Sequence, residues 1–194
     1  SINQYNAIYF YNRLLKYWFS IHYKIFFVFL RPENYHIKIQ KDMGNTYTQI
    51  HIQTVFAVKY REALILPEWR ERLYQYTASI INDQGHKTLA IGGVENHIHL
   101  FFGFRPTQSL SSLMLRVKRE TSEWINKEIL TDSRFQWQNG YGAFSYSKSH
   151  VPNVIRYILN QEAHHANRSF REEYLDILRK NEVEFDEQYI FEDI

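Results

Sequence analysis

His97-Ile98-His99 places two imidazoles one residue apart. On an extended strand that spacing sends both to one face, roughly 7 Å apart at the backbone, close enough to converge on one cation. Ile98 then points the opposite way, into a core. Two imidazoles do not complete a site, and the chain contains no cysteine, so any further ligand must be another His, a carboxylate or an amide. Residues 152–167 open on Pro152 and read as a helix that supplies candidates. At 100° per residue Tyr157 and Gln161 lie about 40° apart, and His164 lies about 20° to the other side of Tyr157. A phenol able to attack and two groups able to bind metal thus project from one helix face, with His165 adjoining. The purely structural alternatives stay open here: a packing pair of histidines, and an amphipathic helix with Tyr157 at its core boundary.

The elements that must position these groups follow from periodicity. Thr48 to Val58 alternates, with Ile50, Ile52, Thr54, Phe56 and Val58 on one face and Gln49, His51 and Gln53 on the other, the pattern of a half-buried strand. Pro67 opens a helix carrying Trp69, Leu73, Tyr76 and Ile80, and Gly85 ends it. Strands follow over 88–94 and 97–104, separated by Glu95-Asn96. Ser109 caps a second helix with Leu110, Leu113, Met114, Val117, Thr121 and Trp124 as its buried stripe. Residues 131–149 read as a loop entering a fourth strand. Ser169 with Glu172 has capping-box spacing and starts a last helix. This order predicts an α+β, ferredoxin-like (RRM-like) four-stranded antiparallel sheet with helices on one face, plus C-terminal helices that carry Tyr157. The first and third strands become central neighbours, so His51, Gln53, His97 and His99 should share the face left open.

Composition sets the bounds. Hydrophobic residues make up 44% and charged residues 23% of 194, as in a folded domain rather than a disordered chain. Residues 1–42 show no sustained period, and strand patterning begins just after Met43, so Met43 is read as the natural start, with a packed N-terminal extension over 1–42 as the alternative. Its apolar run 25–30 is far short of the roughly 20 residues of a spanning helix, which argues against a membrane segment. Residues 43–181 form the expected catalytic domain and 182–194 an acidic tail. That tail holds six acidic and no basic side chains, so the net +2 conceals +8 on residues 1–181, a balance compatible with nucleic acid. The lack of cysteine fits a reducing cytoplasm.

Two strings together are specific. Glu95-Asn96-His97-Ile98-His99-Leu100-Phe101 resembles the HUH motif of single-tyrosine transposases of the insertion-sequence 200/605 type, and Arg156-Tyr157-Ile158-Leu159-Asn160-Gln161 resembles their nucleophile helix. The resemblance spans about residues 46–180. It implies that Tyr157 attacks a phosphodiester of single-stranded DNA to give a 5′-phosphotyrosine, with Mg²⁺ or Mn²⁺ held by His97, His99 and Gln161. His164 or His165 could replace or supplement Gln161. It also implies hairpin-bearing element ends as substrate, and a homodimer in which Tyr157 serves its own histidine pair or that of the other subunit.

Phosphate contacts are expected from Lys59, Arg116, Lys118 and Arg119, and base stacking from Tyr141, Phe144 and Tyr146. The competing class is a noncatalytic module for single-stranded RNA or DNA, or an inactivated transposase, with Phe101 as a stacking platform on an open sheet. A histidine-triad hydrolase would need histidine at position 101, which is Phe101. A barrel metallohydrolase needs a longer chain.

Overall fold

The structure, a computed structural model, describes residues 47–166, 168–186 and 190. The expected extension 1–42, the start at Met43 and most of the acidic tail lie outside the described residues.

Strands β1 (Ile50–Ala57), β2 (Lys87–Val94), β3 (His97–Phe104) and β4 (Gly142–Tyr146) form an antiparallel sheet in the order β2-β3-β1-β4. Helix α1 (Pro67–Asp83) follows β1 and α2 (Leu110–Lys127) follows β3. The fold is therefore α+β with ferredoxin-like connectivity, and β3 and β1 are the central pair as the element order required. Local chemistry sets the ends. Pro stands in the first turn of α1, and Gly85 after it takes φ +81°, which a Cβ disfavours. The Ser109 side chain accepts from Ser112 N at the start of α2.

One sheet face packs against α1 and α2. Ile98, Leu100 and Phe102 from β3, Leu73 and Ile81 from α1, and Leu113, Met114, Val117 and Ile125 from α2 are all fully buried there. Ile125 takes the core position, while Trp124 is only half-buried against its edge.

The other face is not open. Helices α3 (Val151–Leu159), α4 (Gln161–His165) and α5 (Phe170–Lys180) come from the C-terminal segment, and their apolar residues pack on this face. Val151, Val154 and Ile158 lie with Ala90 and Phe101, and Phe170, Ile177 and Leu178 lie with Val55, Ala57 and Phe144. Such stripes must be buried somewhere, and the remaining sheet face was the available apolar surface. The single helix expected over 152–167 is broken at Asn160 (φ −102°, ψ 20°), so Tyr157 lies in the last turn of one helix and Gln161 begins the next. Ser169 caps α5 with a full capping box, as its spacing with Glu172 predicted.

Docking of α3 depends on a missing side chain. A Cβ on Gly92, which pairs with His99, would lie 2.1 Å from the Ile158 carbonyl oxygen. That neighbour is backbone and cannot swing aside. Gly92→Ala should therefore cost about 1–3 kcal/mol or more by overpacking, whereas Gly85→Ala, with no described atom within 4 Å of its Cβ, should cost about 1–2 kcal/mol of backbone strain. Urea unfolding of both variants checks this. A Gly92→Ala midpoint equal to that of wild type would contradict the close docking of α3.

Candidate active site

Strand β3 presents His97 and His99 to the face covered by α3–α5, and both are fully buried. Small partners make room for the rings: Gly92 pairs with His99 across β2, and Ala57 pairs with His97 across β1. Asn96 Oδ1 lies 2.7 Å from His97 Nδ1. An amide oxygen only accepts, so Nδ1 carries the proton and the Nε2 lone pair is free. Gln53 Nε2 donates to His99 Nδ1 at 3.0 Å, so that nitrogen accepts and the His99 proton sits on Nε2. Neither Nε2 has a hydrogen-bond partner among the described residues.

Both Nε2 atoms face one carboxylate. Glu173 on α5 is 1% exposed, and its Oε2 lies 3.3 Å from His97 Nε2, 3.4 Å from His99 Nε2 and 2.8 Å from His165 Nε2. Its Oε1 accepts from the Tyr157 hydroxyl and, at 2.9 Å, from Gln161 Nε2. His164 Nε2 lies 3.8 Å from the same oxygen. Tyr157, Gln161, His164 and His165 are thus gathered with His97 and His99 in one chain, around a residue the sequence reading did not single out. The signal for Glu173 was its place on the buried stripe of α5, between Phe170 and Ile177, where an apolar side chain belongs. His51 shares the sheet face but turns away, its Nδ1 3.3 Å from the Tyr146 carbonyl oxygen.

Ionisation follows from this crowding. Burial, only partly offset by Glu173, pushes His97 down to about 4. Burial works to raise the Glu173 carboxyl, but the hydrogen bond to His165 leads the effects that outweigh it and hold the acid well below its usual range. His165 is held above 6.5 because its bond to Glu173 overcomes its own burial. Burial and then the Glu173 charge raise Tyr157 far above the ordinary phenol. The metal-free site therefore holds one carboxylate beside a neutral Tyr157 hydroxyl, with His165 held toward its charged form.

The donors fit a divalent cation. One ligand atom from each of His97, His99 and Glu173 lies within 4.8 Å of the others, and adjacent ligands of a six-coordinate ion with bonds of about 2.1 Å stand about 3 Å apart. The Nε2 atoms of His97 and His99, both without a hydrogen-bond partner among the described residues, are where such an ion would bind.

Of the residues read as DNA contacts, Lys59, Lys118, Arg119 and Tyr141 line one cleft of about 500 Å³ between α2 and residues 136–141. Lys118 Nζ donates to the carbonyls of Gln138 and Gly140, at 2.6 Å for the latter, and burial lowers its pKa to about 8. It anchors the cleft wall. Lys59 Nζ donates to Gln136 Oε1 at 3.3 Å, while exposed Arg116 pairs with Glu120 at 2.7 Å and is not part of the lining. Phe144 and Phe101 are buried beneath the C-terminal helices, so neither offers a stacking surface in this arrangement. Among the described residues no helix is long and apolar enough to cross a membrane.

His97 and His165 should titrate far apart in metal-free protein. His97 stays neutral until pH falls toward about 4. Its depressed value means that the unfolded chain binds the extra proton first, so this residue withdraws stability as pH drops from about 6.5. His165 acts in the opposite sense, since its stabilising contact is present below about 6.5 and fades as pH rises through its raised folded value. Imidazole nitrogen shifts followed by NMR against pH will show two separated transitions; a common transition near the free-histidine value would contradict the buried cluster.

The family described as "Transposase IS200 like" matches residues 46–161, more than half of the chain and inclusive of the His pair, Tyr157 and Gln161. A solved structure of a Deinococcus radiodurans protein described as a transposase is 19% identical, covers 63% of this chain and 98% of its own, and superposes with a TM-score of 0.49. Another, a REP-associated tyrosine transposase bound to a REP hairpin, is 12% identical, covers 79% of this chain and 98% of its own, also with a TM-score of 0.49. A search of curated proteins gives no match. With the family matching across the sheet and through both halves of the candidate site, the chain belongs to the IS200-like transposase family.

Proposed function

We propose that this transposase cleaves and rejoins single-stranded DNA at the ends of an insertion sequence, with Tyr157 as nucleophile. The observation that supports this most directly is the convergence of the Tyr157 hydroxyl and the two unpartnered imidazole nitrogens on one buried point. Hard and borderline donors suit Mg²⁺ or Mn²⁺, which when bound would neutralise the scissile phosphate and polarise it for in-line displacement. His97 and His99 would hold it, with a further ligand from the C-terminal helices, for which the family pattern points to Gln161. The Tyr157 oxygen attacks phosphorus, forming a 5′-phosphotyrosine as the bond to the 3′ oxygen breaks, and that oxygen leaves as a 3′-hydroxyl. Attack by another 3′-hydroxyl reverses the step, so the bond energy is retained and no ATP is needed.

Tyr157 reaches the histidine pair of its own chain, which supports cleavage in cis even if the protein is a homodimer. Hairpin-bearing single strands are the proposed substrate, held along the cleft by Lys59, Arg119 and Tyr141.

Labelled single-stranded hairpin DNA with Mn²⁺ should give a covalent protein adduct on denaturing electrophoresis, abolished by chelation and by Tyr157→Phe. Wild-type protein that binds this DNA yet forms no adduct would favour a binding module or an inactivated enzyme. Mixing Tyr157→Phe with His97→Ala protein should restore no adduct, and restored activity would instead place the tyrosine in trans. Arg119→Ala should weaken DNA binding evenly across sequences and lower the salt slope by about one, measured by titration at several salt concentrations.

A further inference from the structure

We propose that Glu173 is itself a ligand of the catalytic cation, and that Gln161 orients it. This rests on the reading that His97 and His99 hold a divalent ion, and names a ligand that the two family motifs do not contain. Glu173 Oε2 stands 3.3 and 3.4 Å from the two Nε2 atoms. With the His97 proton fixed on Nδ1 by Asn96, an acceptor nitrogen confronts an ionised oxygen at that distance. Two lone pairs facing each other in a buried site repel unless a positive charge lies between them. A divalent ion supplies that charge and meets all three atoms.

Gln161 is placed differently. An ionised carboxylate only accepts, so Gln161 turns its NH₂ toward Glu173 Oε1, at 2.9 Å, and the amide supports the carboxylate at the oxygen that does not face His97 and His99. Its own Oε1, unpartnered among the described residues, stays available to the same ion without being required by it. His165 donates to Oε2 at 2.8 Å and completes the cradle.

Glu173 stands on α5 and the histidines on β3. The bound ion therefore links the last helix to the central strand. A carboxylate in the ligand set also favours the hard ions Mg²⁺ and Mn²⁺ over softer ones.

Mn²⁺ binding to the metal-free full chain, followed by calorimetry and by the electron paramagnetic resonance of free Mn²⁺, tests this without any turnover. Glu173→Gln should weaken binding at least about 10-fold and by more than Gln161→Ala does, while His97→Ala should be at least as damaging. Wild-type affinity in Glu173→Gln, with Gln161→Ala as weak as His97→Ala, would overturn the assignment and leave the metal reading intact. Wild-type affinity in His97→Ala would sink the metal reading and this proposal with it. Should Glu173→Gln fail to fold, anomalous scattering from manganese-soaked crystals of the wild-type chain decides. Metal at bonding distance from the Glu173 carboxylate supports the assignment, and metal bound with that carboxylate turned away overturns it.

Discussion

A carboxylate almost wholly removed from water, with imidazoles on three sides, is the constraint around which the C-terminal half of this protein is arranged. Burying an ionised group is costly unless its oxygens are met by donors or cations. Glu173 is met by Tyr157 and Gln161 on one oxygen and His165 on the other, the tyrosine from α3 and the other two from α4. Moving His165 would leave the buried Oε2 without its donor, and moving Tyr157 or Gln161 would leave Oε1 with one donor in place of two. The same requirement that costs stability therefore holds the nucleophile at the histidine pair.

The sheet contributes position rather than chemistry. Alternation on β3 sends Ile98, Leu100 and Phe102 into the core beneath α1 and α2, where packing allows little movement, so the intervening histidines inherit a rigid base. Gly92 and Ala57 opposite them remove the side chains that would otherwise fill the site. The glycine also lets the α3 backbone approach the sheet closely. Phe170 stacks on the His97 ring with centroids 4.1 Å apart and closes the site from the α5 side.

A buried guanidinium ties the two motifs together from behind. Arg70 of α1, 5% exposed, reaches Glu95 at 2.9 Å and Glu162 at 2.8 Å, and also meets the Ile65 carbonyl at 3.3 Å. Glu95 lies two residues before His97, and Glu162 directly follows Gln161. The pairing fixes the strand turn and the start of α4 to the same helix. The guanidinium is buried while Glu95 and Glu162 reach solvent, so losing either carboxylate would leave the buried cation short of a partner, whereas truncating Arg70 would free two hydrated carboxylates and loosen the tie.

Much was determined locally. The alternation around residues 97–104 specified which face His97 and His99 share, Pro67, Gly85 and Ser109 marked helix ends, and Ser169 with Glu172 marked the start of α5, because capping and side-chain periodicity act over a few residues. The pairing of the HUH string with the Tyr157 string was legible for the same reason, as each is short and contiguous. Tertiary structure alone decided the rest. The break at Asn160 depends on α3 and α4 each finding its own seat on the sheet, and the face expected to be open is covered because three amphipathic helices had no other apolar surface to meet. Glu173 could not be named beforehand as a site residue: it is far from His97 in sequence, and only packing α5 against β3 turns an odd carboxylate in an apolar stripe into the centre of the site.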